Sequence, residues 1–225
     1  MNAGRVLALL AVSISAGAQT VHRSPEVPKF MGREVTIMEP KIEDGMFPKG
    51  PATICVEGPP QRQCYTAPQD FGRDTSAVVV QVQKDMPALF FSATSGGTSG
   101  FAIHFALLRT GTGTGLEDLF FSDMSVSNHS EHELWTEPAI SNAQIFVTAD
   151  YVWGPSESHY DDHRYTISAY TLLPSSLVDG LCYYLEDRYM TVRKYKSQTE
   201  SHILASEKPE ILARLKRVVD AQKPN

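Results

Sequence analysis

Four of the seven histidines fall in two short acidic windows, His129-Ser-Glu-His-Glu133 and His159-Tyr-Asp-Asp-His163. Imidazole and carboxylate are the ligands a borderline divalent ion such as zinc selects, so His159 and His163 are the candidate metal pair. Spacing tests the idea. Residues four apart on a strand lie about 13 Å apart at 3.3 Å per residue, too far to share an ion. On a helix they would share a face, as in His-Glu-x-x-His, but Tyr160, Asp161 and Asp162 are weak helix formers and no helical pattern surrounds them. A loop could gather the two rings. The competing reading is a solvated hairpin loop whose Asp residues make turns. Apart from zinc at this pair, no cofactor is predicted.

Tyr151, Trp153 and Tyr160 are the aromatics nearest this loop. Rings beside acids are usual in carbohydrate and peptide grooves, through stacking and hydrogen bonding, and equally usual in sheet cores. Tyr151 reads as core. Trp153 ends its strand beside Gly154 and is open to either role. Two other motifs carry less. Thr94-Ser-Gly-Gly-Thr-Ser-Gly100 lacks the Asp that precedes a serine-protease nucleophile, and a strand rather than a helix follows it, so it cradles no phosphate. Leu-Glu-Asp occurs at 116–118 and 185–187, but adjacent strand residues point to opposite faces and cannot pair as acid and base. Asn128-His-Ser130 is a glycosylation sequon in a host that uses one.

The elements that must hold these residues are strands. Residues 143–154, 164–173 and 181–192 are rich in β-branched and aromatic residues and are separated by polar or Gly/Pro breaks, which predicts three antiparallel strands. A similar order precedes them. Leu89-Phe-Phe-Ser-Ala93 matches Ile145-Phe-Val-Thr-Ala149; each is followed by a polar loop, a second strand, and Leu-Glu-Asp before an aromatic. Two three-strand meanders in sequence are expected, forming a sandwich or a propeller-like partial array. Residues 77–83 add a strand. At the C-terminus Ile211, Leu212, Leu215, Val218 and Val219 line one face of an amphipathic helix over 207–221, with Pro209 tolerated within its first turn.

Near the N-terminus, Arg5, an apolar stretch over 6–14 and Ala16-Gly-Ala18 read as a cleavable leader, with the mature chain starting at Gln19. Export permits disulfides. Cys55 and Cys64 flank the turn Gly58-Pro-Pro-Gln61 and fall opposite each other when the flanking strands pair about its centre, so a bridge there is predicted, worth about 2–3 kcal/mol on the loop-entropy model. Cys182 is left over and reads as a small buried hydrophobe. The organisation expected is a leader over 1–18, an extended N-terminal segment over 19–76 carrying the Cys hairpin, and a main β domain over 77–225 that ends in the helix. The net charge of −6, with no Lys/Arg cluster, argues against nucleic acid and anionic membranes as partners. No apolar run of the mature chain reaches the roughly 20 residues a membrane span needs.

The stretches Phe146-Val-Thr-Ala-Asp-Tyr-Val-Trp-Gly154, His163-Arg-Tyr165 and Glu207-Lys-Pro-Glu-Ile-Leu-Ala-Arg-Leu-Lys216 resemble exported bacterial proteins of unknown activity. That resemblance covers residues 88–217, implies export and brings no catalytic residues. The meander also resembles, in shape, β-propeller blades of the FG-GAP type. Two units cannot close a propeller, and the Asp-x-Asn-x-Asp-Gly calcium loop of those repeats is missing.

These readings converge on an all-β, mainly antiparallel chain with one C-terminal helix, secreted or periplasmic, that binds an extracytoplasmic ligand without catalysis; carbohydrate and peptide are the candidate ligand classes. The rival is a metal-dependent or hydrolytic enzyme built on the His/Asp loops. Strand parity adds a place. If the meanders run as drawn, both His/acid windows open at one rim of the sheets, so His129, His132, Trp153, His159, Tyr160, Asp161, Asp162 and His163 are expected on one surface.

Overall fold

A computed structural model describes residues 20–22, 29–41, 47–83, 85–96, 101–120, 124–127, 130–141, 144–158, 160–174, 182–196 and 202–221. The leader over 1–18, His129, His159 and residues 97–100 of the Gly-rich loop lie outside them. The described chain is mostly antiparallel β in three open sheets of meander topology, with one C-terminal helix and no closed barrel or propeller.

The first sheet runs β1 (Thr20–His22), β2 (Val35–Glu39), β3 (Thr53–Val56) and β4 (Gln63–Thr66) in order. Cys55 lies directly opposite Cys64 and the two are bridged, with their Cα atoms 4.1 Å apart. Among the described residues the N-terminal segment forms a four-stranded sheet. Arg33 holds its far end: the guanidinium donates to the carbonyls of Val56, Glu57, Gly58 and Gln61. The expected boundary at 76/77 falls inside the next strand.

That strand, β5 (Phe71–Gln83), opens a second sheet with β6 (Met86–Ser95), β7 (Ala102–Thr110) and β8 (Leu116–Asp118), and a fifth strand, β9 (Met124–Ser127), pairs with the first part of β7. The third sheet repeats this plan: β10 (Glu131–Thr136), β11 (Gln144–Val152), β12 (Asp162–Pro174) and β13 (Cys182–Met190), with β14 (Tyr195–Lys196) on the first part of β12. The repeat is thus five strands long, not three. Two strands share the outer edge of the third, because each ladder breaks at one point and resumes.

The break is built alike in both sheets. After β8 the Leu119 N–H donates to the Leu107 carbonyl, while the Leu107 N–H turns to the Asp118 carboxylate at 3.0 Å. After β13 the Thr191 N–H donates to the Tyr165 carbonyl, and the Tyr165 N–H turns to the Thr191 hydroxyl at 3.0 Å. A side-chain oxygen replaces the missing backbone acceptor each time, so no buried N–H is stranded.

Alternation sorts the strand side chains into layers. One face of the second sheet (Leu89, Phe91, Ala93, Ala106, Leu108) packs on Phe30, Ile37, Ile54 and Val56 of the N-terminal sheet. Its other face (Phe90, Phe105, Leu107) meets Phe146 of the third sheet. Phe146 is the hub, with its ring centroid 5.0 Å from that of Phe90, 5.1 Å from Phe105 and 5.7 Å from Phe120. The far face of the third sheet (Trp135, Ile145, Val147, Tyr165, Ile167) is covered by helix α1 (Ile203–Ala221) through Ile203, Leu204, Ile211 and Leu215.

Helix α1 begins four residues before the expected start at 207, which puts Pro209 beyond the first turn and leaves the Ala205 carbonyl without an i+4 donor. The early start has a cause outside the helix. The Glu131 carboxylate on β10 accepts the N–H groups of Ile203 and Leu204, each at 3.0 Å, satisfying two of the four donors a helix leaves open and sitting at the positive end of its dipole. Arg214 of the helix pairs with Asp187 on β13 at 2.8 and 3.2 Å. Among the described residues no helix is long and apolar enough to cross a membrane.

Candidate functional site

Register places both His/acid windows toward one end of the third sheet: Glu131 lies opposite Ala149, and Val152, three residues on, lies opposite Arg164. Parity then divides them between faces. Glu131, Glu133 and Trp135 point toward α1, and His132 and Leu134 point toward the second sheet. Glu131 caps the helix, and Glu133 accepts the Trp135 indole N–H. The His132 ring lies 4.8 Å from that of Phe105, and this partial burial holds its pKa below the ordinary value against the opposing pull of Glu133. Glu131, His132 and Glu133, the described ligand-type residues of the first window, are therefore spent on packing the sheet between its neighbours. Among the described residues the single shared surface expected from the sequence is split, with His132 on one face and His163 on the other.

Two consecutive turns lead into the second window. In residues 154–157 the Glu157 N–H donates to the Gly154 carbonyl at 3.2 Å, and the Glu157 carboxylate reaches back to the Gly154 N–H at 2.6 Å. In residues 158–161 the Asp161 N–H donates to the Ser158 carbonyl at 3.1 Å, and the Asp161 carboxylate accepts the Ser158 N–H. An acid at the fourth position closing back on the first is the logic of a helix capping box, used here to fix a loop. A Cβ at Gly154 would lie 2.5 Å from the Glu157 carboxyl carbon, so a larger residue there would displace the carboxylate from these contacts.

Glu157 is the centre of the loop. Besides the Gly154 N–H it takes the Lys194 ammonium at 2.6 Å and faces His163 Nδ1 at 3.0 Å. The Lys194 bond, then the Gly154 N–H and His163, pull its pKa down to about 2. His163 is fully buried, and its Nε2 lies 3.0 Å from the Ser158 carbonyl. Both ring nitrogens are thus committed, so His163 bound to a metal would have to give up a contact that holds the loop. Among the described residues no group of three His, Cys, Asp or Glu is arranged to hold a metal ion.

The remaining expected site residues are displayed rather than enclosed. Trp153 is 47% exposed, its ring 5.3 Å from Tyr151 and 5.5 Å from His163, and Tyr160 is 85% exposed. Asp162 is exposed and lies opposite Lys196 on β14. Beside the loop is a cleft of about 230 Å³ lined by Val152, Gly154, Pro155, Glu157, Arg164, Met190 and Lys194. Glu157, Arg164, Met190 and Lys194 were not among the residues singled out from the sequence. The one local signal for Glu157 is its position three residues after a glycine at a strand end; Lys194 joins the site only through the β12–β14 pairing.

No family model, curated protein or solved structure matches this chain.

Proposed function

We propose that this chain is an exported, non-enzymatic binding protein whose ligand, a carbohydrate or a peptide, sits on the loop end of the third sheet. The observation that carries the reading is the display of Trp153 and Tyr160 on a loop that Glu157, Asp161 and buried His163 brace with hydrogen bonds. Exposed aromatic rings on a preorganised loop lose little entropy on binding and offer flat apolar area, the usual basis of sugar and peptide recognition. The acids and histidine around them are engaged in building the loop, which favours recognition over catalysis. The leader-like sequence over 1–18 and the Cys55–Cys64 bridge support a secreted or periplasmic location.

Glycan and peptide arrays probed with the mature chain test the reading. At least one ligand class should be retained, and Trp153→Ala and Tyr160→Ala should each weaken its capture by roughly tenfold, the usual scale for truncating an aromatic anchor. Retention that both variants leave unchanged would move the site elsewhere.

A further inference from the structure

The cleft beside the loop has a chemistry of its own. Val152 and Arg164 face each other across β11 and β12, and Met190 lies opposite Thr166, two residues from Arg164. All three therefore project from one face of the sheet, the face opposite His163 and Tyr165. Val152, Met190 and Pro155 give the cleft apolar walls, and Met190 is 50% exposed. The two cations differ in state. Lys194 is held by Glu157 at 2.6 Å. Arg164 lines the cleft with no ion pair or side-chain hydrogen bond among the described residues. Glu157 does not serve it, because both its oxygens are taken by Lys194, Gly154 and His163. Asp162, two positions earlier on the same face, makes no ion pair with it either. The cleft thus presents an unspent guanidinium beside apolar walls, in a chain whose net charge is −6.

We propose that this cleft binds a small carboxylate with a short apolar chain, the carboxylate on Arg164 and the chain along Val152, Pro155 and Met190. The guanidinium fork matches a carboxylate in two parallel hydrogen bonds, a geometry a lysine cannot supply. The volume falls below the roughly 300–1,000 Å³ of sites for drug-sized molecules, so the held group is small. The second sheet provides the contrast. At its matching ladder break Leu119 and Phe120 fold inward and are buried, whereas after β13 Val192 is 92% exposed and Arg193 and Lys194 follow it outward. The third sheet leaves open what the second fills. The proposal rests on the binding reading above and names a ligand class for the same loop end.

The test uses the mature chain with ¹³C-methyl methionine and follows the Met190 methyl resonance in titrations with hexanoate, hexanol and hexylammonium. Hexanoate should shift Met190 saturably, hexanol more weakly and hexylammonium least. Arg164→Ala should weaken hexanoate roughly ten- to a hundredfold, and Arg164→Lys should recover part of the loss. Equal shifts with all three probes, no shift with hexanoate, or unchanged affinity in Arg164→Ala would overturn the proposal; the comparison of probes on the unsubstituted chain stands even if a variant fails to fold. An array ligand that depends on Trp153 and Tyr160, found together with no Met190 shift on adding hexanoate, would sink the carboxylate site and leave the broader binding reading intact.

Discussion

The second and third sheets share one plan and put it to different use. Each is a four-strand meander with a short fifth strand returning to its third, and each breaks its outer ladder with a side-chain oxygen, Asp118 in one and Thr191 in the other. The second sheet is covered on both faces, by the N-terminal sheet and by the third sheet, and closes its break with Leu119 and Phe120. The third is covered by α1 on one face and by the second sheet over only part of the other, and its break leads to exposed Val192 and the Lys194–Glu157 pair. The difference teaches that the repeat itself sets the frame, and that burial decides which copy can carry a site. A strand wrapped on both faces has no rim residues to spare.

The comparison can be broken most strongly at the interface between the two copies. Phe146→Ala removes the ring that Phe90, Phe105 and Phe120 surround and should cost about 3–5 kcal/mol in urea unfolding, the range for large core aromatics. A cost near zero would mean that the sheets do not depend on each other. Replacing both Cys55 and Cys64 with Ser acts on the outer cover of the second sheet and should cost about 2–3 kcal/mol. Glu131→Ala acts on the cover of the third: losing the cap should cost about 1–2 kcal/mol and reduce helical circular dichroism.

Two smaller effects separate the loop from the core. The Glu157 carboxyl ionises at about 2 in the folded chain, against an ordinary value of 4.5, so the stability it contributes is complete above pH 4.5 and is lost as pH falls toward 2. Trp153 fluorescence followed through acid titration should report loosening of the loop in that window, and Glu157→Gln should reduce the pH dependence to the part that Asp161 carries. Tyr160→Ala, at an exposed position, should change stability by less than about 0.5 kcal/mol while weakening ligand capture. A large stability loss there would make Tyr160 a structural residue and count against the binding surface.

Much of the fold is local and was therefore legible in the chain. Alternating Val, Ile and Phe runs specify strands, the turn between Cys55 and Cys64 sets their register, and the spacing of Ile211 and Leu215 specifies a helix face. What the sequence could not tell was what each polar residue would face. Glu131 sits in a His/acid window that looks like a site, yet it caps a helix 72 residues away in the chain. His132 and His163 open toward the same rim by parity, yet one lies against Phe105 and the other against Glu157. Arg164 and Lys194 gain their meaning only when β14 closes beside β12. Strand and helix formation depends on neighbours a few residues apart, which a sequence displays directly. The cost of burying a carboxylate or an imidazole depends on which donors arrive from other elements, and only the packed chain decides that.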